Sequence, residues 1–327
     1  MNKRKAFTLI ELLIVLAIIT LLLGILLPSI SMVRRQAKET AQKAQFAAID
    51  MALDAFKQDY GDYPPSNSAD GFIPSPAVYC GAQKLTEALL GWDLQGFHPQ
   101  TAWRRDGFDA TGGNMTYDPL RTRITVPAKG PDTLFERRGP YLEVAKTNVF
   151  RLNISNAGAN DGLYIPSNIP FFTNFFDKGR PNFVICDVFG VKKISIITTL
   201  PTGGTVTTTK MAGSPILYYK ANTASKIFSG SNPSNSIYNY DDNLALLLLG
   251  KLPDGYNGSP ERIHTLVSVP PMPPGIYFYD PAYKIVDQNI YSATTPPQLW
   301  PNRPDTYILI SAGADHEFGT QDDILNF

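Results

Sequence analysis

Residues 7–27 form an almost unbroken apolar run, FTLIELLIVLAIITLLLGILL, in which Glu11, Thr8 and Thr20 are the conspicuous polar side chains. At about 21 residues the run is long enough to span a bilayer as one helix. Lys3, Arg4 and Lys5 precede it, a basic flank that keeps an N-terminus on the cytoplasmic side. After Pro28 the pattern changes. Ile30, Ala37, Ala44 and Met51 repeat at sevens, and Ala41, Ala48 and Ala55 add a stripe of small residues beside them. Phe46, Ile49, Leu53, Phe56 and Tyr60 recur at alternating threes and fours, which predicts an amphipathic helix running to Tyr60. The bulky stripe is expected to pack on a globular body. The small stripe then either faces other helices at close approach or packs within the chain. Gly61 and the pair Pro64-Pro65 end the helix. Gly24 and Pro28 predict a kink or local melting, because proline removes an intrahelical hydrogen bond and glycine weakens the turn.

Further along, the periodicity is weaker. A short helix is expected over 84–90, and strands over 183–188, 191–198, 215–220 and 276–279. Turn-rich stretches at 156–162, 229–236 and 269–275 separate them. The expected fold class is α+β, a long helix on an antiparallel sheet with long loops. Residues 7–28 form the membrane segment, 29–60 its amphipathic continuation and 61–327 a β-rich body.

Composition narrows the function. The 327 residues carry zero formal net charge with 18% charged side chains, so nothing points to a nucleic-acid surface. Sixteen tyrosines, 18 phenylalanines, 27 prolines and 25 glycines fit a loop-rich body of short strands. Cys80 and Cys186 have two readings in an exported body: a disulfide closing a loop of roughly a hundred residues, or two buried thiols. Neither has a second cysteine or a histidine at ligand spacing. His98, His264 and His316 are isolated and read as core or surface residues, and Trp92, Trp103 and Trp300 read as packing. Ser229, Ser231 and Ser234 lie in a polar loop without the G-x-S-x-G elbow of a nucleophile. The oxygen-rich run 238–243, YNYDDN, reads as a solvated turn rather than a cation site. No reaction motif emerges, and an enzyme is not expected.

Glu11 is the informative oddity. A carboxylate at hydrocarbon depth costs roughly 2.5–3.5 kcal/mol, so an acid there calls for a partner. A cleaved secretory signal needs a small-residue site after the apolar run, and none follows. A plain anchor gives Glu11 no purpose. A third reading places the cut before the run, after Ala6. The residues KRKAFTLIE resemble the class III signal of type IV pilins and type II secretion pseudopilins. That resemblance implies a leader of residues 1–6, cleavage between Ala6 and Phe7 by a prepilin peptidase, and N-methylation of Phe7. Ala6 stands where glycine is usual, and Glu11 falls at the family position for a glutamate five residues into the mature chain. The resemblance further implies a helical homopolymer in which Glu11 of one subunit meets the Phe7 amine of another, each charge relieving the other.

The stretch ALDAFKQDYGDYPPS is similar to the end of the long helix in the major pseudopilin of type II secretion. The closing stretch 307–327, YILISAGADHEFGTQDDILNF, gathers Ser311, Asp315, Asp322 and Asp323 around Gly313 and Gly319. Read alone, it is either a calcium loop rich in oxygen ligands or a solvated acidic turn; the D-x-D-x-D-G opening of an EF-hand is absent. It resembles the closing loop of the major pseudopilin, with His316 where glycine is common. This implies a calcium ion held by Ser311, Asp315 and Asp322 or Asp323, with carbonyls such as that of Leu309. The resemblance at both ends implies a structural subunit of a type II secretion pseudopilus supporting protein export. The implied location is the inner membrane, N-terminus in the cytoplasm and body in the periplasm. Implied partners are other copies, minor pseudopilins, the prepilin peptidase, and the inner-membrane platform with its ATPase. The alternative is a type IV pilus subunit, in adhesion, motility or DNA uptake, whose large body binds a surface ligand.

Overall fold

The computed structural model describes residues 9–68, 79–110, 115–117, 134–153, 160–164, 182–199, 204–225, 236–255, 259–268, 278–285 and 298–327. The chain divides into two compact units, residues 1–41 and 42–327. A single helix, α1 (Leu9–Tyr60), contributes to both. In the first unit the apolar side chains from Leu9 to Leu26 are exposed, with Leu9 at 82% and Ile25 at 67%. An apolar helix bare on all sides has no aqueous resting place, which is the signature of a membrane or a multi-helix environment.

α1 runs unbroken through Gly24 and Pro28, so of the kink or local melting expected there the melting does not occur. Proline forfeits one hydrogen bond among many. Nearby carbonyls also gain side-chain donors: Ser29 Oγ to Ile25 O at 2.9 Å, and Ser31 Oγ to Pro28 O at 2.7 Å.

In the second unit, Phe46, Ile49, Ala52, Leu53 and Phe56 on α1 are buried, as the bulky stripe predicts. Ala44, Ala48 and Met51 on the opposite side are exposed. The helix stops where Gly61 turns to φ +84° and its N–H reaches Lys57 O at 2.7 Å. Its buried face meets α2 (Gly81–Leu90), which starts a little earlier than the sequence suggested and is buried along its whole length. Two charged side chains of α2 are therefore enclosed with their own partners. Lys84 Nζ donates to Asn67 O at 2.8 Å and Oδ1 at 2.7 Å. Glu87 accepts from Tyr79 at 2.5 Å, Thr101 at 2.5 Å and Tyr117 at 2.8 Å.

Among the described residues the strands form several small sheets. Strands β1 (Val149–Asn153), β2 (Gly162–Tyr164) and β3 (Phe183–Ile185) make a mixed sheet in the order β2-β1-β3, β1 and β2 being parallel. Strands β4 (Lys192–Thr199) and β5 (Thr205–Ala212) form a separate antiparallel pair. The central sheet joins β6 (Leu217–Lys220) to β9 (Tyr307–Ser311) and then to β10 (Ile324–Leu325). A last antiparallel pair joins β7 (Tyr279–Ile285) to β8 (Gln298–Pro301). Residues 276–277 of the expected strand 276–279, and most of the three turn-rich stretches, lie outside the described residues, as do Ser229, Ser231 and Ser234.

β6 and β9 explain the apolar runs ILYY and YILI. Leu217, Tyr219, Ile308 and Ile310 enter one buried cluster with α3 (Leu244–Leu248), whereas Ile216, Tyr218, Tyr307 and Leu309 enter the cluster under α1. A strand alternates its side chains between faces, so a strand buried on both faces reads as a continuous run. The free edge of β6 is capped by side chains: Lys220 N–H donates to Ser66 Oγ at 2.9 Å, and Asn243 Nδ2 donates to Tyr218 O at 2.8 Å. Such caps keep an edge strand from pairing with foreign strands.

One open choice in this body is decided, and one expectation needs correction. Cys80 and Cys186 are free, buried thiols in the same cluster, not a bridge. Burial pushes the Cys80 thiol up to about 12 and the Cys186 thiol well above its usual range, so both behave as small, inert hydrophobes. The run 238–243 is not a solvated turn. It forms a 3-10 turn (Tyr240–Asn243) in which Asp242 and Asn243 are buried, capped by Asn239 Oδ1 accepting from Asp241 N at 3.1 Å. His98 and His264 are core residues, and burial holds each imidazole down to about 4. Trp92 is buried, Trp103 half-buried and Trp300 exposed.

Candidate functional site: the apolar helix and the closing loop

Glu11 sits in the first turn of α1, exposed among exposed apolar neighbours. Ala6 and Phe7 lie outside the described residues. The helix from Leu9 to Tyr60 is long and apolar enough to cross a membrane, and none of its apolar window is buried.

The closing stretch 307–327 is a hairpin. β9 and β10 pair antiparallel through Ser311–Ile324 and Ile310–Leu325, with the acidic loop between them. Three left-handed residues shape that loop: Gly313 at φ +67°, His316 at φ +62° and Gly319 at φ +104°. A Cβ on Gly313 would meet Asp322 O at 2.2 Å, and one on Gly319 would meet Leu266 N at 2.6 Å. His316 thus occupies a backbone conformation that glycine adopts without strain, which accounts for glycine being common at this position in the loops it resembles.

Asp322 organises the turn. Its Oδ2 accepts from Ala314 N at 2.7 Å and Asp315 N at 3.1 Å, and its Oδ1 from Thr320 Oγ1 at 2.6 Å. Burial works to raise this carboxyl, but the Thr320 hydroxyl and the two amides outweigh it and hold Asp322 below the usual range. The Asp315 side chain hydrogen-bonds Asp322; burial first, then the neighbouring carboxylate, pushes Asp315 up. Of the four residues expected as calcium ligands, Asp315 and Asp322 are brought together. Asp323 turns to Gly319 N at 2.8 Å. Ser311 is buried and donates to Asp187 Oδ2 at 3.1 Å. Among the described residues, no three His, Cys, Asp or Glu side chains gather as a metal site. The loop is also held from outside. Glu317 accepts from Lys251 Nζ at 2.6 Å and from Thr265, and Phe318 N donates to His264 Nδ1 at 3.2 Å.

Asp187 and Asp50 were not legible as site residues. Asp187 Oδ1 accepts from Phe189 N at 3.0 Å and Ser214 N at 3.2 Å, joining three segments at one buried carboxylate. Asp50, on α1 beside the packing stripe, accepts from Tyr307 Oη at 2.7 Å and Asn326 Nδ2 at 3.3 Å, tying the closing hairpin to the helix. An acid adjoining a buried stripe was the available signal for Asp50; Asp187 had none.

Residues 1–27 match the family described as the prokaryotic N-terminal methylation motif. No curated protein and no solved structure matches the chain. The motif points to a structural subunit rather than an enzyme, and it implies homopolymerisation and processing by a prepilin peptidase. Together, the methylation motif and the long, exposed apolar helix support a type IV pilin-like protein with a membrane anchor.

Proposed function

We propose that the chain is a structural subunit of a type II secretion pseudopilus. The observation that carries this reading is the continuity of one helix. Its exposed apolar part overlaps the methylation motif, and its later turns bury one face in the body while Ala44 and Ala48 stay open. A neighbouring helix can approach closely along that small-residue stripe. Cleavage between Ala6 and Phe7 creates an amine on Phe7, and Glu11 of an adjacent subunit is its counter-charge. Pairing two charges at membrane depth favours assembly in register. The body lies on the periplasmic side, and the assembly platform, its ATPase and minor pseudopilins act as partners. The resemblance of residues 52–66 and of the closing loop to the major pseudopilin supports a pseudopilus over a surface pilus.

Deleting the protein tests this reading. A secretion defect with surface filaments intact is expected, whereas loss of surface filaments with normal secretion identifies a pilus subunit instead.

Calcium in the closing loop is part of the same proposal. The support is the closeness of Asp315 and Asp322, the Asp315 amide donating to Asp322 Oδ2 at 3.1 Å, since a cation would neutralise neighbouring carboxylates. Those two residues would hold the ion, which would supply charge neutralisation and order the turn.

A further inference from the structure

A cavity of about 510 Å³ opens beside the capped edge of β6. Its walls come from the chain after α1, from the residues following β6, from the segment leading into the 3-10 turn, and from the turn before β9. Asp62, Asn67, Asn222 and Asp305 are exposed around it, and Lys220 and Asp242 also line it. Asp242 is 3% exposed. Its Oδ2 accepts from the Ser66 hydroxyl, while its Oδ1 accepts no hydrogen bond. A buried acceptor of this kind is ordinarily satisfied, and one left over beside a cavity marks a place for a donor.

The lining selects among ligands. Three carboxylates face one ammonium, and that ammonium, on Lys220, is held by Asp62 in an ion pair of 2.5 Å. Phosphates, sulfates and carboxylates are therefore repelled. A metal ion is disfavoured as well, since Asp62 is engaged by Lys220 and Asp242 Oδ2 by Ser66. Amides both donate and accept, and carboxylates accept, which together match a ligand carrying many hydroxyls. The volume lies within the range of small-molecule sites.

We infer that this cavity binds a neutral saccharide of one or two rings, its hydroxyls donating to Asp242 and Asp305 and exchanging hydrogen bonds with Asn67 and Asn222. Burial pushes the Asp242 carboxyl up to about 7, with the Ser66 hydroxyl, Lys84 and the Ser68 amide opposing the rise. The inference stands apart from the choice between pseudopilus and pilus, because binding is a property of the body.

The test uses the full chain, purified in a detergent without a sugar headgroup. Glucose, galactose, N-acetylglucosamine, maltose and cellobiose are titrated by saturation-transfer NMR and calorimetry, with ethylammonium and inorganic phosphate as charged comparisons. Saturable binding of at least one saccharide is expected. Asp305→Ala, at the exposed rim, should weaken it at least about fivefold with the melting temperature unchanged, and Asp242→Asn should weaken it similarly. No saccharide binding up to about 50 mM overturns the inference. So does binding indifferent to both substitutions, or selective binding of ethylammonium or phosphate.

Discussion

The hydroxyl of Ser311, at the end of β9, donates to the Asp187 carboxylate at 3.1 Å across 124 residues of chain. A serine that sequence resemblance assigns to a metal is committed to a buried structural carboxylate. Asp187 also receives the amides of Phe189 and Ser214, so its removal leaves several buried donors bare. Asp187→Ala is expected to cost on the order of 2–4 kcal/mol and Ser311→Ala about 1 kcal/mol, read by denaturant unfolding. A double-mutant cycle should show the two effects to be non-additive; strict additivity would mean the contact does not form.

The calcium proposed for the closing loop would act on the turn that Asp322 organises. Adding calcium should raise the melting temperature of the full chain, chelation should reverse the rise, and Asp322→Ala plus Asp323→Ala should abolish it. Because Asp322 also orders the turn by hydrogen bonds, the informative quantity is the calcium-dependent difference in each protein. An identical melting temperature with calcium and with chelator in the parent chain would rule the ion out.

Glu11→Ala removes the acid from the apolar segment and leaves the residues of the cleavage site untouched. Processing at Ala6–Phe7 should continue, read by N-terminal sequencing and mass, while incorporation into filaments falls sharply. Normal incorporation would remove the charge-pairing argument.

The two faces of α1 should respond differently. Leu53 is fully buried, so Leu53→Ala should destabilise the body by about 2–5 kcal/mol. Ala48 is exposed, so Ala48→Phe should leave unfolding within about 0.5 kcal/mol of the parent. Its effect should fall on assembly, where a bulky ring blocks close helix approach; unimpaired assembly would place the small stripe outside the filament contact.

Asp242 makes stability depend on pH. Burial raises its carboxyl to about 7, Asp241 adds to the shift, and Ser66 and Lys84 oppose it. With the folded value above the unfolded one, its contribution is fully present below pH ~4 and is lost as pH rises toward ~7. His98 and His264 act with the opposite sign. Held down to about 4 by burial, they contribute stability that is lost as pH falls from ~6.5 toward 4. Both histidines remain in Asp242→Asn, so their effect cancels when its melting curves are subtracted from the parent's. The difference should grow in the variant's favour from pH 4 to 7 and then level off; a flat difference would contradict the burial of this carboxyl.

Much of the first 60 residues was readable directly. Phe46, Ile49, Leu53 and Phe56 declare a buried face by spacing, and Gly61 declares the stop, because helix period and capping are local properties of a chain. The short strands were harder. β6 was anticipated within 215–220, yet its partner β9 lay in a stretch read as either a calcium loop or a solvated acidic turn, and pairing across such separations carries no local mark. The α+β fold itself was legible, but for the same reason the division of its body into four small sheets, among the described residues, was not.

The sequence alone determined the long apolar helix and its amphipathic continuation, since each depends on residues within a few positions of one another. Tertiary structure decided what the chemistry-bearing side chains do. Ser311 serves Asp187, the two cysteines stay apart as thiols, and Asp242 is carried from an apparent surface turn to the wall of a polar cavity. Those outcomes depend on which distant segments meet, and burial and hydrogen-bond partners exist only once they have met.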